Sequence, residues 1–210
     1  MDADSGAGIV PDATVDAVIA RVRAAPPRLS GGRLLCIDGP AGSGKSTLAR
    51  AVTAALVVGG HGNAATAHLL TMDDHYEGWS GLGDADRRIR DDILEPLAAG
   101  EPGFYRRYDW HDGAFAELHV VAPVDVLVLE GVGSGSSLLA PYRSVLVWVS
   151  APDDVRLARG LARDGAAARP HWERWMVGER AHFAAHGTEA AADLYVGPDG
   201  RLVTPPDGGS

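Results

Sequence analysis

The chain has 210 residues, with 19 Lys or Arg against 28 Asp or Glu and a formal net charge of −9 with histidine neutral. That length suits one domain with a sizeable core, and 46% hydrophobic with 22% charged residues is a globular rather than a disordered composition. The acidic balance argues against a nucleic-acid binder held by phosphate contacts, and no apolar run approaches the ~20 residues of a membrane span.

Met1 to Val10 is acidic and Gly-rich, unlike a secretory leader. With 204–210 it reads as a flexible end. Val15, Val18, Ile19 and Val22 fall at helical spacing, so Asp12 to Ala25 is expected to be a helix that stops at Pro26 and Pro27. Arg33 to Asp38 reads as a buried strand carrying the single cysteine, Cys36. One cysteine cannot close an internal disulfide, so a reducing cytoplasm is the expected setting. Lys45 to Val58 reads as a helix closed by Gly59 and Gly60, His68 to Met72 as a strand, and Asp84 to Ala99 as a helix ended by Gly100. Gly103 to Val121 fits the alternation less well and is expected to be an irregular hairpin or insertion at the sheet's C-terminal edge. The apolar runs Val124 to Leu129 and Ser144 to Val149 read as central strands of a parallel sheet. Helices are expected over Asp153 to Arg163 and Trp172 to His186, and a short last strand over Asp193 to Val196. This alternation predicts an α/β three-layer sandwich with a parallel sheet and a small helical lid, formed by 1–210 as one domain with lid and following helix in 153–187.

Gly39 to Ser46 matches G-x-x-x-x-G-K-[ST], and Thr47 follows. A strand precedes the motif and a helix follows it, which is the setting a phosphate-binding loop requires. The backbone of Gly39, Ala41, Gly42, Ser43, Gly44, Lys45, Ser46 and Thr47 would cradle ATP phosphates at a helix N-terminus. Lys45 would reach the β- and γ-phosphates, and Ser46 would ligate Mg²⁺. Of the 19 basic residues 18 are Arg, and the lone lysine is Lys45. A compact ammonium therefore occurs only where it suits a phosphate.

Glu130 ends a strand at the sheet's ligand-binding edge, where it would hold Mg²⁺ through water or serve only as a strand-end cap or a solvated charge. Asp73 ends another strand, as the base that takes an acceptor hydroxyl's proton or as the start of a turn. Arg156, Arg159 and Arg163 share one helix face, a phosphate clamp or a solvated basic face. Trp172, Trp175, Glu179, His182 and Phe183 form a stripe expected to pack as core rather than face a substrate. With one lysine there is no N/T-K-x-D guanine-reading motif, and no histidine spacing suggests zinc.

In this order the motifs resemble those of P-loop kinases of the nucleoside and nucleotide kinase group, nearest the uridine kinase-like proteins; the loop is also similar to that of cytidylate kinases. Asp73-Asp74-His75-Tyr76 resembles the family's D-x-F-Y, Tyr108-Asp109-Trp110 its Y-D-F, Leu129-Glu130-Gly131 its strand end, and 156–164 its R-L-x-R-R-x-x-R-D lid. His75 stands where the family has Phe, and Gly160 where it has the second lid Arg. The resemblance implies catalytic roles for Asp73, Lys45, Arg159 and Arg163. It implies acceptor contacts for His75, Tyr76, Tyr108, Asp109, Trp110 and Arg156. The expected activity is transfer of the γ-phosphoryl of Mg-ATP to a hydroxyl of a small molecule, a nucleoside first. A nucleoside monophosphate kinase, using Arg106 and Arg107, and a nucleotide-binding regulator are the alternatives. The expected partner is a small-molecule acceptor and neither nucleic acid nor membrane, with a homo-oligomer left open.

Overall fold

The computed structural model describes residues 10–59 and 65–205. The ends expected to be flexible lie outside them, apart from Val10 and 204–205, as does Gly60. Helix α1 (Asp12–Ala24) buries Val15, Val18, Ile19 and Val22 on one face. It ends because Ala25, preceding Pro26, is held extended at φ −78°, ψ 149°. Strand β1 (Arg33–Asp38) runs into the glycine-rich loop, and α2 (Lys45–Val58) follows, closed by Gly59 in the left-handed region at φ 74°. Strand β2 (Ala67–Thr71) leads through a 3₁₀ turn at Met72–Asp74 toward α3 (Leu82–Ile89).

A π-turn at Arg90–Leu94 joins α3 to α4 (Glu95–Ala98). Pro96, which offers no N–H to the helical ladder, lies just beyond it. Strands β3 (Gly103–Asp109) and β4 (Ala114–Val121) pair antiparallel as a separate two-stranded sheet, with a register shift between Arg106 and Tyr108. This hairpin is the segment that the sequence pattern left irregular. Next come β5 (Val126–Glu130), β6 (Val145–Val149), α5 (Asp153–Asp164), α6 (Arg169–His186), β7 (Leu194–Val196) and β8 (Leu202–Val203).

The main sheet has the order β2-β5-β1-β6-β7-β8. All neighbours are parallel except β7 and β8, so the sheet is mixed rather than wholly parallel as expected. The exposed β8, two residues long, carries no apolar run to announce it. Alternation along the strands divides the core between the two faces. Leu35 and Ile37 of β1, with Val126 and Val128 of β5, pack on α1 and α2. Leu34 and Cys36, with Leu127 and Leu129, face Ile89, Ile93, Leu97 and Trp175 on the other side. Each such fully buried Leu, Ile or Val adds about 1.5–3 kcal/mol of apolar burial. Burial pushes the Cys36 thiol up to about 12, so it stays an inert core residue. The outcome is a three-layer α/β sandwich with α5 and α6 as a helical lid. Among the described residues no helix is long and apolar enough to cross a membrane.

Candidate active site

The strand order brings the carboxyl ends of β1, β2 and β5 side by side, with Glu130 in register with both Ile37 and Thr71. In open α/β sheets this edge is where ligands bind. A cavity of about 370 Å³ opens there.

The glycine-rich loop is held by contacts that only glycine permits. At Gly39 (φ 137°) a Cβ would sit 2.1 Å from the Val149 carbonyl oxygen, and at Gly42 (φ 79°) 2.7 Å from that of Arg156. Asp38, fully buried at the end of β1, accepts N–H bonds from Gly39 (2.7 Å), Gly133 (3.0 Å) and Gly135 (2.7 Å). It thereby ties the loop to the segment after β5, and burial lifts its carboxyl to about 6. Lys45 Nζ is folded back onto the carbonyls of Gly39 (2.8 Å) and Pro40 (2.9 Å). The first-turn amides of α2 point out of the helix's N-terminal end without intrahelical partners, and its positive dipole end faces the same side.

Two carboxylates meet the loop. Glu130 is buried, its oxygens 3.1 and 3.2 Å from Ser46 Oγ, and it accepts from Thr71 Oγ1 at 3.0 Å. Burial raises its pKa against the opposing pull of Lys45. Asp73 sits on the 3₁₀ turn after β2, open to the cavity but walled by protein. Desolvation raises its pKa, with Lys45 and Arg163 pulling it back down.

The loop is also gripped from the lid. Glu179 of α6 accepts the Ala41 N–H at 2.8 Å, while Arg156 of α5 donates to the Ala41 carbonyl at 2.9 Å. Arg156 and Glu179 pair at 2.7 Å with 1% and 0% exposure. Arg156 also reaches Asp153 at 2.6 Å. Arg156 therefore turns inward and holds the loop from behind, and does not face the cavity as an acceptor contact. Its helix position relative to Arg159 and Arg163 is shared, but its environment is not. Arg159 is exposed and donates to the Gly42 carbonyl at 3.2 Å, whereas Arg163 lines the cavity, paired with Asp164 at 2.7 Å and 5.7 Å over the Trp172 ring.

Trp172 and Trp175 are buried as expected, yet they also line the cavity, which corrects their assignment to core alone. The wall is completed by Tyr76, Trp79 and Trp110. Gly160 explains the departure from the lid pattern: a Cβ there would lie 2.3 Å from the Trp172 ring, so α5 and α6 pack through it.

Of the residues singled out in the sequence, Ala41, Gly42, Lys45, Ser46, Asp73 and Tyr76 line the cavity, as do Trp110, Glu130 and Arg163. Gly39, Ser43, Gly44 and Thr47 build the loop and first helical turn around it. Besides Arg156, three expected acceptor contacts are not brought to the cavity. His75 is buried, its ring 4.5 Å from that of Tyr105, and burial drops its pKa to about 3. Tyr108 packs against Phe115 and Trp110 within the hairpin. Asp109 accepts from Arg107 (2.9 Å) and from the His111 amide (2.9 Å), closing the β3–β4 turn. Sequence reasoning missed Asp38 and Trp79, placed Asp164 only within the lid pattern and assigned Glu179 to the core. Of the aromatic wall, only Tyr76 and Trp110 were expected, through the resemblance, and Trp79 carried no signal.

No family model and no curated protein matches this chain. Among solved structures it is similar to a possible uridine kinase from Bacillus stearothermophilus, with a TM-score of 0.64 and 18% identity over 88% of this chain and 97% of that one. A candidate fructose transport system kinase from Silicibacter sp. TM1040 gives 0.57 and 23% over 83% and 93%. The YGR205w protein gives 0.50 and 12% over 82% and 88%. Identities this low speak to architecture alone, and the chain has a nucleoside-kinase-like α/β fold.

Proposed function

We propose that the chain is a P-loop kinase that transfers the γ-phosphoryl of Mg-ATP to a hydroxyl of a small molecule, a nucleoside by its resemblance. The observation that carries the reading is that Lys45, the Ser46–Glu130 pair and Asp73 open into one cavity. Phosphate holders, metal donors and a proton acceptor then lie within one reaction volume, and phosphoryl transfer is mostly positioning and charge neutralisation.

The Ser46 hydroxyl and Glu130 carboxylate fit Mg²⁺, which takes hard oxygen donors and is commonly held by one or two protein groups plus water and phosphate oxygens. When bound there, Mg²⁺ supplies charge neutralisation on the phosphates. Lys45 leaves the Gly39 and Pro40 carbonyls for the phosphate oxygens of ATP. Asp73 takes the acceptor hydroxyl's proton, and its raised pKa makes it a stronger base than an ordinary aspartate. Arg163 stands at the cavity rim to meet charge developing on the transferring group. The lid walls limit water at the reaction centre.

A monophosphate acceptor has less support. Arg106 is committed to the Ala116 carbonyl at 2.7 Å and Arg107 to Glu117 at 2.6 Å and Asp109 at 2.9 Å, both within the hairpin. The test is ADP release from Mg-ATP with nucleosides, nucleoside monophosphates and small alcohols, using Lys45→Ala as the blank. Stimulation by a nucleoside supports the reading, and stimulation only by monophosphates, or by nothing with ATP bound, refutes it.

A further inference from the structure

We infer that the acceptor nucleoside is gripped by the faces of its base and not read at the base's edge, so that pyrimidine and purine nucleosides are both turned over. The inference rests on the kinase reading above and concerns the aromatic lining of the same cavity.

Five aromatic rings line that cavity: Tyr76, Trp79, Trp110, Trp172 and Trp175. Trp79 sits at their centre. Its ring meets Trp110 at 5.7 Å, Trp175 at 5.9 Å and Trp172 at 6.4 Å, each edge to face, and His171 stacks on it at 5.5 Å. Even so, Trp79 and Trp110 keep 38% and 43% of their surface exposed, and both line the cavity. Stacking on aromatic faces tolerates any base, because every base has a π-face.

Edge reading needs side chains that present matched donors and acceptors, above all amides and free guanidiniums. The chain contains no glutamine and a single asparagine, Asn63, which lies outside the described residues. Several polar groups of the cavity are already engaged within the protein. Tyr76 Oη donates to the Val132 carbonyl at 2.6 Å, and Trp110 Nε1 to the Asp73 carbonyl at 2.9 Å. Asp164 receives both Arg163 and Trp172 Nε1, the latter at 2.9 Å. Lys45, Ser46, Glu130 and Asp73 serve the phosphates, the metal and the proton. Trp175 Nε1 is buried without a partner, but a lone N–H donor finds an acceptor atom on the edge of every base and selects none. His75, in the motif that would bring an imidazole to the acceptor, is instead sequestered against Tyr105.

The experiment measures kcat/KM for uridine, cytidine, adenosine and guanosine with the intact chain and with Trp79→Ala, alongside nucleoside binding by calorimetry without ATP. The expected result is four values within about tenfold of one another, and a rise in KM on Trp79→Ala of about tenfold, alike for all four, with kcat little changed. Trp79→Phe, which keeps a stacking face, should restore most of the affinity and so separates lost stacking from a damaged fold. A preference above about 100-fold for one base, or a Trp79→Ala loss confined to one nucleoside, overturns the inference while leaving the kinase reading standing. Turnover of some other alcohol with no nucleoside bound or phosphorylated overturns the nucleoside reading and this inference with it.

Discussion

Replacing Glu179 by Ala is the sharpest structural perturbation this architecture offers. It strips from Arg156 its fully buried countercharge and takes the acceptor from the Ala41 N–H. At 2.7 Å the lost attraction is about 6 kcal/mol at an effective dielectric near 20. Asp153 still pairs with Arg156 but is 63% exposed, so it compensates only partly. Breaking a buried pair from one side costs about 3–5 kcal/mol, a large share of the ~5–15 kcal/mol that holds a domain folded. Urea unfolding should therefore place Glu179→Ala about 3–4 kcal/mol below the parent, with Glu179→Gln, which keeps an oxygen for Ala41, in between. Because the same pair fixes the Ala41 peptide, the ATP affinity of the folded fraction should fall as well. A Glu179→Ala protein within about 0.5 kcal/mol of the parent, with unchanged ATP affinity, would refute the clamp.

Other outcomes follow from single contacts. Gly160→Ala drives a methyl into Trp172 and should cost about 1–3 kcal/mol while shifting tryptophan fluorescence; an unperturbed melt and spectrum would contradict that packing. His75 is neutral when folded, with a pKa of about 3, but takes a proton when unfolded near 6.5. Its contribution is present above 6.5 and lost as pH falls toward 3. Relative to the parent, His75→Phe should thus gain about 2 kcal/mol of stability between pH 7.5 and pH 5, and parallel stability curves would refute this. Desolvation of Asp73 should set the acid limb of kcat/KM above the ordinary aspartate range near 3.8, and a limb at or below that value would argue against Asp73 as base.

Much of the architecture was legible because buried parallel strands advertise themselves as unbroken apolar runs, as 126–129 and 145–149 do. The loop and the carboxylates at strand ends were legible for a related reason: a strand's carboxyl end fixes where the next residue emerges. Helical faces were less informative. Spacing placed Arg156, Arg159 and Arg163 together but could not say that the first would turn under the loop, because that depends on Glu179 arriving from a helix 23 residues on. The same limit hid the double role of Trp172 and Trp175, whose burial and cavity exposure depend on how α6 lies across the sheet edge. Strand β8, two exposed residues paired to a neighbour, has no local signal to read.

Transfer requires phosphate and acceptor to meet in one cavity with Asp73 between them. The measurement is transfer from γ-labelled Mg-ATP to a nucleoside, comparing the parent with Asp73→Asn at matched ATP occupancy. Labelled nucleoside phosphate is expected from the parent, and intact ATP binding with transfer lost from Asp73→Asn. Equal transfer by both proteins, or label appearing only as inorganic phosphate, would contradict it.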